Sequence, residues 1–143
     1  MIKTYFDGSN TSQGRAGIGY VIKDSENNTI IKNSKKYKYC SSSYLAELLA
    51  LLELSLELKR LKPKGMVIIY GDNKSIIDRM KALYLYGNLN RRPRSLSRRV
   101  AVKIIRNLKS IHKFHPYFSW LPRERNLEAD DLSGQASGRR RQI

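Results

Sequence analysis

A chain of 143 residues has the length of one domain, and 41% apolar with 28% charged residues supplies both a core and a solvated surface, which excludes a disordered polypeptide. Twenty-eight Lys and Arg against twelve Asp and Glu leave a net charge of +16, beyond the magnitude of about 2 to 8 that solubility asks of a small domain, so a polyanionic partner is the natural reading. One cysteine, Cys40, and two histidines, His112 and His115, exclude a disulfide framework and a zinc-type cluster, and no apolar run approaches the roughly 18 to 20 residues that cross a bilayer.

In chain order, Ile2 to Phe6 alternates toward an Asp7-Gly8 turn, Ala16 to Lys23 is a second apolar run, and Thr29 to Tyr39 is a weaker third. They read as three strands on short connections. The start has no signal-peptide core, so a soluble, cytoplasmic protein with no membrane partner is expected. Gly14, Gly17 and Gly19 lie between strand signals with no helix after them, so they predict a hairpin turn and close backbone packing, not a phosphate cradle. Ser42 or Ser43 can cap a long helix whose leucines, at 45, 48, 49, 51, 52, 54, 56, 58 and 61, cover most of its circumference and predict deep burial. Pro63-Lys64-Gly65 stops it.

Met66 to Tyr70 is a short β-branched strand closing on Gly71-Asp72, and Lys74 to Tyr86 is helical by the spacing of Ile76, Ile77, Met80, Leu83 and Tyr84. A further helix is predicted from after Pro93 to about Ile111, with Leu96, Val100, Ile104, Leu108 and Ile111 on one side and a free basic face. Pro116 to Leu121 is the last strand, with Trp120 expected in the core, and Asn126 can cap a closing helix from Leu127 to about Ala136. The order βββαβααβα predicts a single α/β domain over residues 1–143 with a mixed sheet, ending in a basic tail from about residue 137. From Arg79 to Arg123, both included, there are twelve Lys or Arg and no acid. A merely solvated helix face would mix the signs, so this stretch predicts a nucleic-acid contact.

The scarce acids are then informative. Asp7 ends the first strand, Asp72 ends the fourth, Glu47 sits one turn into the leucine-rich helix and Asp130 in the first turn of the last. If the first and fourth strands are neighbours, Asp7 and Asp72 lie at adjacent strand ends, where open α/β sheets place ligands. Bare anions repel there, whereas hard divalent cations neutralise them, so the quartet implies Mg²⁺ or Mn²⁺. Taken singly, each acid also fits a turn, a cap or a helix-dipole role.

These residues resemble type 1 ribonuclease H. The matching segments are Tyr5-Phe6-Asp7-Gly8-Ser9 with Ala16-Gly17-Ile18-Gly19, Ala46-Glu47-Leu48-Leu49-Ala50-Leu51, Tyr70-Gly71-Asp72-Asn73, and Trp120 to Leu132 with its Asn126-Leu127-Glu128-Ala129-Asp130 run. The resemblance implies the RNase H-like fold, a five-stranded mixed sheet of three antiparallel and then two parallel strands flanked by helices. It implies hydrolysis of the RNA strand of RNA/DNA hybrids with two Mg²⁺ or Mn²⁺ ions per site, leaving 5′-phosphate and 3′-hydroxyl ends. Asp7, Glu47, Asp72 and Asp130 are then the catalytic metal ligands, with Asp131 as neighbour to the last. Expected substrate contacts are Gly8, Ser9, Asn10, Ser43, Tyr44, Asn73, Tyr84, Arg91, Arg92, Arg94, Arg98, Arg99, Arg123 and Arg125, in a chain expected to act as a monomer.

The chain departs from the family's pattern in three ways. The loop before the final aspartate, Leu121 to Asn126, has no histidine, so an arginine is expected in its place. Ser43 and Tyr44 replace the asparagine pair common before the glutamate, which keeps duplex RNA open as a second substrate. The separate amino-terminal hybrid-binding module of some relatives is not expected here, so the basic helix is expected to hold the duplex. A catalytically inactive binding module and a two-metal DNA nuclease are the competing readings.

Overall fold

The computed structural model describes residues 1–89 and 94–138. Burial is mixed along Ile2–Asn10 (β1) and nearly continuous along Ala16–Lys23 (β2), a strand covered on both faces. β1, β2 and Thr29–Tyr37 (β3) form an antiparallel meander, and Gly65–Gly71 (β4) and Phe114–Trp120 (β5) add in parallel, giving the order β3-β2-β1-β4-β5. The expected sheet of three antiparallel and two parallel strands is therefore the one observed.

Two strand ends differ from expectation. β1 does not stop at Phe6: Asp7 pairs with Gly19, Gly8 with Ile18 and Asn10 with Ala16, and the chain reverses only over Thr11–Arg15, where the Thr11 N–H donates to the Arg15 carbonyl at 2.8 Å. Asp-Gly favours a turn locally, but continued pairing with β2 outweighs that preference. β3 ends at Tyr37, leaving Tyr39 89% exposed.

Ser43–Leu61 (α1) begins where the Ser42 hydroxyl accepts from the Leu45 N–H, and it packs between β1, β2 and Leu96–Lys109 (α3). Lys74–Tyr86 (α2) lies against β5, and Leu127–Ser137 (α4) covers β1 to β3 on the opposite face. The core runs from Phe6, Ile18, Tyr20 and Ile22 through the leucines of α1 to Ile76, Met80, Ile104 and Phe118. Leu61 and Leu96, expected on buried sides, are exposed. Among the described residues no helix is long and apolar enough to cross a membrane.

Two close approaches set the layers. A methyl group on Gly8 would meet the Ala46 carbonyl carbon at 2.2 Å, so only glycine lets the start of α1 lie on β1. On the other face, a methyl on Gly17 would meet the Ser133 carbonyl oxygen at 2.2 Å, and one on Gly19 the Ala129 carbonyl oxygen at 2.7 Å. These glycines bring α4 into backbone contact with β2, the packing role the sequence suggested.

Candidate active site

The parallel pairing of β1 with β4 brings Asp7 and Asp72 to one end of the sheet, and the Gly8 approach presents Glu47 beside them. Oxygens of Asp7, Glu47 and Asp72 all lie within 4.8 Å of one another. Opposite ligands of an octahedral Mg²⁺ ion stand about 4.2 Å apart and neighbouring ones about 3 Å, so the three oxygens would draw together on binding. Among the described residues this is the one group of three or more His, Cys, Asp or Glu side chains that close. Asp130, in the first turn of α4, stands outside the triad but lines the same open cleft, of about 260 Å³, with Gly8, Ser9, Asn10, Ser43 and Arg123. Its Oδ1 accepts from Arg123 Nη2 at 3.4 Å. Asp131 does not line the cleft, and its Oδ2 accepts from Gln135.

Burying acids together is costly, and the cluster shows it. Burial pushes the Asp7 carboxyl up to about 7; Glu47 offsets part of that rise, while the charges of Asp72 and Asp130 add to it. Burial and then Asp7 hold Glu47 well above the usual carboxylate range. Glu47 Oε1 accepts from the Gly8 N–H at 3.2 Å, whereas its buried Oε2 has no hydrogen-bond partner. Three converging carboxylates, one of which carries a buried oxygen without a partner, fit a divalent cation.

Three neighbouring residues take roles the sequence did not reveal. Asn126 does not cap α4 with its side chain; Nδ2 donates instead to the Phe6 carbonyl at 2.9 Å and to Asp72 Oδ2 at 3.2 Å. Trp120 is not in the core: it is 48% exposed, and its indole N–H donates to the Asp72 carbonyl at 3.0 Å. Ser133 Oγ donates to Asp7 Oδ2 at 3.0 Å. An asparagine four residues before an acid, or a serine three after it, gives no local sign of these contacts.

The expected substrate residues divide by place. Ser9 and Asn10 line the cleft, but Ser9 Oγ bonds Ser137 Oγ at 2.7 Å and Asn10 Nδ2 donates to the Cys40 carbonyl. Asn73 Oδ1 caps α2 by accepting from the Ile76 N–H. Tyr44 OH accepts from Arg79 Nη1 at 2.9 Å. The Tyr84 ring packs edge-on against Phe118 with the Lys109 ammonium over it. Arg125 lines a separate hollow with Tyr5, Lys23 and Glu128. Arg94 and Arg99 are exposed and Arg98 partly so, around the start of α3, while Arg91, Arg92 and the tail arginines 139–141 lie outside the described residues.

Against this geometry, the model of the reverse transcriptase-like family matches residues 5–136. The chain belongs to the reverse transcriptase-like family. Solved structures similar to this family member include LC11-RNase H1, from compost by a metagenomic approach, in complex with an RNA/DNA hybrid: 25% identical, TM-score 0.82, covering 96% of this chain and 97% of that one. The amino-terminal RNase H domain of a Mycobacterium tuberculosis protein is 18% identical with TM-score 0.77, covering 96% and 93%. A foamy viral protease-reverse transcriptase in complex with an RNA/DNA hybrid is 18% identical with TM-score 0.70, covering 95% of this chain and 20% of that one. Among curated protein sequences, none matches. Family and structural kinship make the chain an RNase H-like enzyme of the ribonuclease H type.

Proposed function

We propose that the chain is a metal-dependent endoribonuclease that hydrolyses the RNA strand of RNA/DNA hybrids, leaving 5′-phosphate and 3′-hydroxyl ends. The observation that carries this reading is the cluster of Asp7, Glu47 and Asp72, in which Glu47 Oε2 is buried without a hydrogen-bond partner. The hybrid bound to LC11-RNase H1, on the same fold, supports the substrate. Asp7, Glu47, Asp72 and Asp130 would hold two Mg²⁺ or Mn²⁺ ions. Those ions would supply activation of the attacking water and neutralisation of charge on the leaving 3′ oxygen.

The chain's own groups do the rest by position. Ser133 and Asn126 hold Asp7 and Asp72 in place, and the Asp72 carbonyl is tied to Trp120. The exposed Arg123 guanidinium, paired with Asp130 at the cleft wall, is placed to meet a phosphate. The arginines of α3 add sequence-independent affinity for a duplex.

The test is incubation of the chain with labelled RNA/DNA hybrid, duplex RNA and duplex DNA in Mg²⁺, Mn²⁺ or EDTA. Cleavage of the hybrid's RNA strand alone, abolished by EDTA and by Asp72→Asn with binding retained, is the expected result. Cleavage of duplex DNA would favour a DNA nuclease, and binding of hybrid without cleavage in any metal would leave a binding module.

A further inference from the structure

Ser133 lies at the centre of α4 and is fully buried. Its Oγ stands 3.0 Å from Asp7 Oδ2 and 2.9 Å from the Asp130 carbonyl oxygen. A serine hydroxyl has one proton and both neighbours accept, so the two contacts compete for it. The carbonyl three residues back is a local partner that any helical serine can use. An ionised carboxylate is the stronger acceptor, so toward the charged Asp7 that a cation needs, the proton points at Asp7.

The contact has a geometric consequence. The last torsion of an aspartate side chain is broad and about two-fold, so a carboxylate without a partner does not keep its plane. A donor fixed on Oδ2 sets that plane. The donor is itself held in register, because Ser9, two residues along β1 from Asp7, bonds Ser137, four residues along α4 from Ser133. Two residues of strand span about 6.6 Å and four of helix about 6.0 Å, so the two hydroxyl contacts match along the interface. Gly17 and Gly19 allow the helix to come that close.

We propose that Ser133 is a positioning residue for the cation site: by holding Asp7 Oδ2 it orients the carboxylate that Asp7 offers to the ions shared with Glu47 and Asp72. The inference rests on the metal-dependent reading above. It concerns an alcohol on the helix face behind the acids, a residue that touches no substrate.

The test is calorimetric titration of Mn²⁺ into the full chain, its Ser133→Ala variant and a Ser137→Ala control, with metal-free melting curves and hybrid cleavage measured across Mn²⁺ concentrations. Ser133→Ala is expected to weaken Mn²⁺ binding about tenfold, to slow cleavage at low metal and to recover at saturating metal, with KM for hybrid unchanged. Ser137→Ala, which cuts the neighbouring contact without touching Asp7, is expected to bind Mn²⁺ like the parent chain. Equal Mn²⁺ affinity in Ser133→Ala and the parent, or equal weakening in both variants, would overturn the proposal, the latter by showing a packing effect. A parent chain that binds no Mn²⁺ and cuts no hybrid would remove the metal-dependent reading and this inference together; a parent that does both, with Ser133→Ala unaltered, would remove this inference alone.

Discussion

Asp7 is under opposing demands: burial favours its neutral form, and holding a cation requires its charged one. Its folded pKa of about 7 lies above the ordinary value of 3.8. The sign follows from linkage. Below about pH 4 both folded and unfolded chains hold the proton and the folded state keeps its full advantage from this group, which is lost as pH rises through about 7. In metal-free solution Asp7→Asn is therefore expected to melt above the parent chain by a margin that widens from pH 5 to pH 8, and to cut nothing; melting curves at the two pH values check it. For the same reason, calorimetric Mn²⁺ affinity of the parent should fall as pH is lowered through about 7, because binding must displace the proton. Asn126→Ala leaves the buried Phe6 carbonyl without its donor and Asp72 Oδ2 unheld. Urea unfolding should show a loss of about 1 to 3 kcal/mol, and Mn²⁺ titration about tenfold weaker binding. The four acids were legible in the sequence because charged residues at element ends in a strongly basic chain demand a reason. Asn126, Ser133 and Trp120 were not, since their partners are set by how α4 and β5 dock and not by their own neighbours in sequence.

At the scale of elements, the site depends on how closely helices approach strands. Gly8→Ala would place a methyl inside the Ala46 peptide, so α1 must retreat from β1 and carry Glu47 with it. A loss of about 3 kcal/mol or more in chemical denaturation is expected, together with loss of Mn²⁺ binding in whatever fraction stays folded. Most elements could be read from periodicity and punctuation: α1 from its leucines and Ser42, β4 from its β-branched run ending at Asp72, α4 from the residue after Asn126. The extension of β1 to Asn10 could not, because Asp7-Gly8 carries a turn's local signature and only the pairing with β2 decides otherwise. The same dipeptide thus misleads locally and serves globally, with one residue supplying the carboxylate and the next the space for α1.

For the whole molecule, charge is divided: acids gather in the cleft, and basic side chains dominate from α2 through α3. This was legible from the absence of acids between Arg79 and Arg123. If the exposed start of α3 grips a duplex, Arg98→Ala with Arg99→Ala should weaken hybrid and duplex DNA alike. The slope of log affinity against log salt would then be shallower by roughly 2, near 0.9 for each phosphate that is no longer neutralised; fluorescence anisotropy across salt concentrations measures it, and an unchanged slope removes that helix from the interface. The sheet order was equally readable, because the resemblance carried a topology that β1 and β4, far apart in sequence, satisfy by pairing in parallel.

Asn126, Asp130 and Ser133 all come from the last helix and the residue before it. Truncation after residue 125 would therefore leave Asp7 without Ser133 and Asp72 Oδ2 without Asn126, and would uncover the α4 face of β1 and β2, while Gly8 and Trp120 kept their contacts to Glu47 and Asp72. Coverage of the sheet and steering of the acids are thus coupled in one segment, because the helix that shields β1 and β2 also carries the groups that contact Asp7.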